Sequence, residues 1–203
     1  VLRYFYYKIN NVKIMSIKDI TIIIASFRSK TKIKKCLNSI NKNCSVINVE
    51  NSNDLDFKRD IEGEFPNVKC VLTGENLGYG RANNIGIKET KTKYALIINP
   101  DTKLYPETLE AFSLSAQQHP NFAIIGPNII YAETKTQINY SKKPKIHKAE
   151  NVKGFAMFLN LNEFKDIGFF DENFFIYLEE IDLCKRIKKK KKKDFFEKRK
   201  KSS

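Results

Sequence analysis

Two apolar patterns alternate along the first 125 positions, namely short β-branched runs and longer segments with helical spacing. A run such as 19–26 (DITIIIAS) is typical of a strand buried on both faces of a parallel sheet. The strand-like runs are 19–26, 45–50, 67–73 and 94–98. The helical segments are 30–41, one ending near Glu64, one from about Arg81 and one from Pro106 toward His119. This alternation predicts a doubly wound α/β sheet.

Open α/β sheets bind ligands at the carboxyl ends of their strands. We therefore expect the functional residues in the loops that follow the predicted strands. These loops are 27–30, 50–54, 73–80 and 99–103. A further acidic segment, FFIYLEEIDLCKR, lies at 174–186.

The net charge of +14 is unevenly distributed over the 203 residues. Positions 185–203 contain twelve Lys and Arg against two acids, whereas the rest of the chain carries only +4. The charge thus describes a basic tail and not a basic domain, so inferences about partners from charge concern the tail alone. The hydrophobic fraction of 41% excludes a wholly disordered chain.

The cysteines and the chain ends bear on localisation. Four scattered cysteines and two histidines show no zinc-ligand spacing, which indicates reduced thiols in a cytoplasmic protein. The longest apolar stretch, 20–27, is too short to span a membrane. Residues 1–14 precede Met15, which we expect to be the natural start, and they are assigned no structural role.

Six segments resemble, in order, the motifs of family 2 glycosyltransferases with the GT-A fold, especially those of the rhamnosyltransferase type. They are ITIIIASF, VINVENSND, NLGYGRANNIG, ALIINPDT, VKGFAMFL and GFFDENFFIYLEEIDLCKR. The resemblance covers about 19–187 and implies a Rossmann-like α/β domain at 15–187, with a mostly parallel central sheet and helices on both faces. It also implies a nucleotide-binding half at about 19–103 and an acceptor-side half at about 104–187.

The activity implied by this resemblance is transfer of a sugar, with inversion, from a nucleotide-sugar donor to a saccharide or lipid-linked acceptor. The donor classes are dTDP- and UDP-sugars, with dTDP-rhamnose favoured by likeness, in cell-surface polysaccharide biosynthesis. Asn99-Pro100-Asp101 matches the family's metal motif, with Asn in place of the first acid. A single carboxylate plus phosphates suits Mg²⁺ or Mn²⁺, which assigns the metal to Asp101. The alternative is an ordinary turn.

The resemblance also implies a set of nucleotide- and donor-binding positions. They are Ser26, Phe27, Glu50, Asn51, Asp54, Asn76, Gly78, Arg81, Asn84, Asn99 and Asp101. Glu50 departs from the usual Asp, and Phe27 keeps a stacking face but lacks the usual tyrosine hydroxyl. From spacing alone, 51–54 is an Asx turn. Arg81 is either a phosphate contact or a solvated residue.

The acids Glu179, Glu180 and Asp182 are the candidate catalytic residues. Apolar residues at helical spacing around them predict a short helix that begins with these acids. The resemblance makes Glu180 the base that deprotonates the acceptor hydroxyl, with Asp182 as the second choice. The alternative is that acids at a helix start favour the macrodipole. Gly154 and Asp171 are assigned to the acceptor side.

Beyond Arg186 the family pattern stops, and six consecutive lysines occupy 188–193. We interpret 188–203 as a basic low-complexity tail created by truncation or a shifted reading frame. Alternatively, the tail anchors the protein peripherally to the anionic inner face of the membrane. Nucleic-acid binding ranks last, because no motif supports it. The competing function is that of a catalytically incomplete nucleotide-binding fragment.

Overall fold

The computed structural model describes residues 15–127, 147–190 and 195–197. Its strands are β1 (Ile20–Ser26), β2 (Ser45–Glu50), β3 (Val68–Leu72), β4 (Tyr94–Ile98), β5 (Ile124–Gly126), β6 (His147–Lys148), β7 (Ala156–Asn160) and β8 (Phe195–Glu197). Its α-helices are α1 (Lys30–Asn38), α2 (Leu55–Glu64), α3 (Tyr79–Glu89), α4 (Pro106–Gln118) and α5 (Glu179–Lys189). Short 3₁₀ helices occupy Ile17–Asp19 and Leu161–Phe164.

The strands form one mixed sheet in the order β3-β2-β1-β4-β7-β5-β8-β6. Strands β3, β2, β1 and β4 run parallel, and β7 pairs antiparallel with both β4 and β5. The predicted α/β class with a mostly parallel central sheet is confirmed. Strand β8 pairs with β5 and β6, so the sheet includes three residues from the segment predicted as a tail.

Helices cover both faces of the sheet. Neighbouring β1 side chains point to opposite sides and therefore pack against different helices. On one face, Ile22 and Ile24 belong to a core built with α1, α2 and α4. On the other face, Ile23 packs in a core that contains Ile87 of α3 and Leu183 of α5. The continuous β-branched run of β1 is explained by this burial on both sides.

Local signals set the helix starts. Pro106 is the first residue of α4, as predicted. Helix α3 begins at Tyr79, two residues before the predicted start, because Gly78 adopts a φ of 82° and turns the chain directly into the helix. Helix α5 begins at Glu179 as predicted and continues to Lys189. Among the described helices, none has the length and apolarity needed to cross a membrane.

Candidate active site

The predicted site loops meet at one edge of the sheet. Strands β1, β2 and β4 are parallel, so the loops after Ser26, Glu50 and Ile98 leave the same edge. Strand β7 runs the other way and therefore begins at that edge, where the amide of Asn99 donates to the carbonyl of Phe155 at 3.0 Å. Gly154 thus lies at the same edge as Asn99-Pro100-Asp101.

The buried Glu50 carboxylate ties the first two loops together. Its Oε1 accepts from the Arg28 amide at 3.0 Å and from the Ser52 hydroxyl at 3.1 Å. Its Oε2 lies 2.5 Å from the Ser26 hydroxyl. Arg28 has a φ of 48°, an uncommon value for a residue with a side chain, and the Glu50 contact holds its backbone. The described contacts of Glu50 and Ser26 therefore organise the loops.

Asn51 links the second loop to the third. Its Nδ2 donates to the Gly78 carbonyl and its Oδ1 accepts from the Leu77 amide, both at 3.3 Å. Asn76 Oδ1 accepts from the Gly78 amide at 3.1 Å. These amides hold the backbone that leads into α3, a role that spacing alone could not predict.

Asp54 and Phe27 lie on the outer side of this edge. Asp54 caps α2, since its Oδ1 accepts from the Phe57 amide at 2.8 Å. Phe27 is 42% exposed, and the Arg28 guanidinium carbon lies 5.1 Å from its ring centroid. Phe27 is therefore a partly exposed ring with a cation over one face, and stacking of a base on it stays a prediction.

Two polar residues of α3 bind the segment that precedes the acidic helix. The Asn84 side chain accepts from the Phe170 amide at 3.1 Å and donates to the Phe170 carbonyl at 2.9 Å. Arg81 Nε donates to the Glu172 carbonyl at 2.9 Å. Their described partners lie at 170–172, and the assignment of Asn84 and Arg81 to the donor stays a prediction.

Gly78 brings this segment, 168–178, into direct contact with the start of α3. A Cβ on Gly78 would lie 2.1 Å from the Phe175 carbonyl oxygen. That same oxygen accepts from the Tyr79 amide at 3.0 Å. Only glycine allows this approach. Asp171, assigned from sequence to the acceptor side, folds its own turn, because its Oδ1 accepts from the Asn173 amide at 2.9 Å.

Tyr79, Gly154 and Glu180 form the chemically distinctive part of the site. The Tyr79 hydroxyl donates to the Gly154 carbonyl at 2.5 Å. A Cβ on Gly154 would lie 3.8 Å from both Tyr79 Oη and Glu180 Cδ. Burial, followed by the charges of Glu179 and Glu180, raises the pKa of Tyr79. The phenol therefore remains protonated and holds the turn before β7 beside the half-buried Glu180 carboxylate.

Sequence reasoning assigned no role to Tyr79. The available signal was an amphipathic aromatic residue between two glycines in a strand-end loop.

The other two acids of α5 have different surroundings. Glu179 is 5% exposed, its Oε2 has no described hydrogen-bond partner, and burial raises its pKa. Asp182 Oδ2 accepts from Arg186 Nε at 2.6 Å, and the Arg186 guanidinium also donates to the carbonyls of Ile167 and Phe169. Asp182 thus helps fix α5 to the preceding segment, which favours Glu180 over Asp182 for proton transfer.

Asp101 lies in the exposed loop after β4, with its carboxylate 3.5 Å from Lys32 Nζ. Among the described residues, no three His, Cys, Asp or Glu are grouped to hold a metal by themselves. Mg²⁺ is commonly bound by one or two carboxylates together with substrate phosphates. The Asp101 carboxylate is accessible and has the exposed Lys32 as its described partner, and it fits that mode with substrate phosphates supplying further oxygens.

Comparison with known proteins identifies the family. The family model "Glycosyl transferase family 2" matches residues 21–184. The chain therefore belongs to glycosyl transferase family 2.

Two curated relatives are similar along much of the chain. The low-salt glycan biosynthesis hexosyltransferase Agl10 of Haloferax volcanii is 25% identical over 84% of this chain and 62% of its own length. The N-acetylglucosaminyl-diphospho-decaprenol L-rhamnosyltransferase of Mycobacterium tuberculosis is 23% identical over 62% of this chain and 54% of its own. The chain thus spans just over half the length of these relatives.

Two solved structures share the fold. S. aureus TarS in complex with UDP-GlcNAc superposes with a TM-score of 0.64 at 16% identity, covering 91% of this chain and 59% of that one. The mannosyltransferase PcManGT of Pyrobaculum calidifontis, in complex with GDP-Man and Mn²⁺, gives 0.62 at 13% identity, covering 81% of this chain and 50% of that one. The predicted GT-A fold is confirmed.

Proposed function

We propose that this chain is the catalytic domain of an inverting, metal-assisted glycosyltransferase. Its donor is a dTDP- or UDP-sugar, with dTDP-rhamnose the first candidate, and its acceptor is a saccharide or a lipid-linked saccharide of a cell-surface polysaccharide. The proposal rests on one observation, namely that the Glu180 carboxylate lies beside Gly154 and Tyr79 at the same sheet edge as Asp101. The rhamnosyltransferase and hexosyltransferase relatives support the class of reaction.

In this proposal Glu180 accepts the proton of the acceptor hydroxyl as that oxygen attacks the anomeric carbon of the donor. A half-buried carboxylate suits this step. When a bound acceptor displaces water from the site, the Glu180 carboxylate is the base nearest to the acceptor hydroxyl. The single displacement inverts the anomeric configuration. Tyr79 takes no proton in this step, since its hydroxyl already donates to Gly154 and its pKa is raised.

The donor binds over the ends of β1, β2 and β4. Phe27 stacks on the base, while Glu50 and Asn51 hold the surrounding loops in place. Asp101 and the diphosphate would hold a divalent cation, which would offset the charge of the departing nucleoside diphosphate. The mannosyltransferase PcManGT, which shares the fold, was solved with Mn²⁺, and this supports a divalent cation as the cofactor in the proposal.

The test measures nucleoside diphosphate release from dTDP-rhamnose and UDP-N-acetylglucosamine, with Mn²⁺, in the presence of short saccharide and lipid-linked acceptors. Glu180→Gln is expected to lower acceptor-dependent release about a hundredfold or more. The matched control is Glu110→Gln, which changes an exposed glutamate of α4. Unchanged release in Glu180→Gln would refute the assignment of the base. Nucleotide binding without release for any pair would favour the incomplete nucleotide-binding fragment.

A further inference from the structure

Four consecutive large apolar side chains are exposed immediately before α5. Phe175, Ile176, Tyr177 and Leu178 are 56%, 53%, 75% and 57% exposed, respectively. Single exposed apolar residues are ordinary, but a contiguous patch marks an interaction surface. We call these four residues the apolar loop.

The backbone keeps the apolar loop in an unusual conformation. Tyr177 and Leu178 have φ values of 69° and 71°, which are unfavourable for residues with side chains. At its start the loop is held by the bond from the Tyr79 amide to the Phe175 carbonyl, and at its end α5 begins at once. The fold therefore holds these side chains outward at a cost in backbone strain, which favours a role in binding.

The solvent face of α5 continues this surface with positive charge. Glu179, Leu183, Cys184 and Ile187 define the buried face of the helix. At 100° per residue, Lys185 and Lys189 lie on the opposite face, and both are exposed. Lys185 follows Leu178 by seven residues, or about 10 Å along a helix axis.

The acids of α5 do little to offset this charge. Glu179 is buried, Glu180 is half-buried beside Gly154, and Asp182 is paired with Arg186. In the preceding segment Glu172 is exposed, but its carboxylate lies 3.9 Å from Lys88 Nζ. The surface is thus apolar at one end and cationic at the other.

We propose that the apolar loop and the lysine face of α5 dock on an anionic lipid bilayer. Aromatic and aliphatic side chains enter the headgroup boundary while lysines contact anionic headgroups, which is how interfacial segments bind. A second copy of the chain fits less well, because it would bring Lys185 and Lys189 of both copies together. The surface adjoins Glu180, so, if the proposed function holds, a lipid-linked acceptor would meet the base at the membrane.

The test is sedimentation of the purified chain with vesicles, without any sugar nucleotide, so that its result is independent of transfer activity. One set contains equal phosphatidylglycerol and phosphatidylcholine, and the other contains phosphatidylcholine alone. Binding is expected only to the anionic set. Tyr177→Asn/Leu178→Asn removes apolar surface and keeps a residue type that tolerates positive φ, and we expect about tenfold weaker binding. Lys185→Glu/Lys189→Glu is expected to weaken binding at least about tenfold.

Matched controls separate the surface from general effects. Tyr105→Asn/Leu114→Asn removes an exposed tyrosine and leucine from the α4 region, where they are 48% and 43% exposed. Lys35→Glu/Lys42→Glu makes the same charge change at exposed lysines near α1. Both controls are expected to bind like the unchanged chain, and circular dichroism verifies folding of every variant. If the asparagine pair does not fold, Ile176→Ser takes its place.

Three results would overturn the proposal. The first is absence of binding to anionic vesicles by the unchanged chain. The second is equal binding by the apolar-loop variant, which would assign attachment to charge alone. The third is concentration-dependent self-association that the Tyr177→Asn/Leu178→Asn change abolishes, which would make this face an interface between copies.

Discussion

Replacing Gly78 by alanine tests whether the segment before α5 is locked onto α3. A Cβ at this position would lie 2.1 Å from the Phe175 carbonyl oxygen, and Gly78 has a φ of 82°. The positive φ alone costs about 1–2 kcal/mol with a side chain. Relief of the clash must also move Phe175 and break its bond to the Tyr79 amide, which adds about 1 kcal/mol. We therefore expect a loss of about 2–3 kcal/mol in the free energy of unfolding.

The chain offers a close control for this substitution. Gly74 has a φ of 83°, yet a Cβ there would meet nothing within 4 Å. Gly74→Ala carries the same backbone penalty without the clash, so we expect a loss of only about 1–2 kcal/mol. Urea unfolding followed by circular dichroism measures both variants. Equal losses for the two alanines would refute the packing of Phe175 against α3.

Three further predictions address other parts of the site. Asn84→Ala leaves the amide and carbonyl of Phe170 unpaired and is expected to cost about 1–3 kcal/mol in urea unfolding, whereas a cost near zero would contradict the described contacts. Burial raises the pKa of Glu179, so the folded chain binds that proton more tightly than the unfolded chain and stability falls as pH rises above the unfolded pKa. Glu179→Gln should therefore stabilise the protein near neutral pH and change little near pH 4, and an equal effect at both would argue against the burial. Burial raises the pKa of Cys36 to about 12 and that of Cys184 to about 11. Iodoacetamide should therefore label both thiols slowly at pH 8 until urea unfolds the protein. Rapid labelling of the folded protein would be inconsistent with this core.

The strands and the fold class could be predicted from the sequence. The sheet is buried on both faces, so its strands are short continuous apolar runs that alternate along the chain with helical segments. The predicted strands at 45–50 and 94–98 match β2 and β4 residue for residue. The ends of the helices were less accurate, and α1 ends three residues before its predicted limit at 41. Helix α3 shows the reason, since its start depends on Gly78 meeting Phe175, almost one hundred residues later in the chain. A contact of that separation leaves no periodic signal.

The loops that carry the predicted site residues meet at one sheet edge, but the hydrogen-bond partners of these residues could not be predicted from the sequence. Asn84 and Arg81 were assigned to the donor, and their described bonds run to the backbone of 170–172 and to the Glu172 carboxylate. Asn51 likewise holds the backbone of 77–78. Side-chain amides serve equally well as ligands for substrates and for backbone groups, and only the fold decides which partner is near. The roles of Glu180 and Asp101 stay predictions until they are measured.

The metal-assisted donor site is the central claim, and calorimetric binding of dTDP and UDP tests it most directly. The titrations compare the unchanged chain, Asp101→Ala and the control Glu107→Ala, each with and without Mn²⁺. Glu107 is an exposed acid in the first turn of α4, a few residues after Asp101. The account predicts that Mn²⁺ strengthens binding of at least one nucleotide and that only Asp101→Ala removes this gain. Folded protein that binds neither nucleotide, or an equal gain from Mn²⁺ in Asp101→Ala, would contradict it.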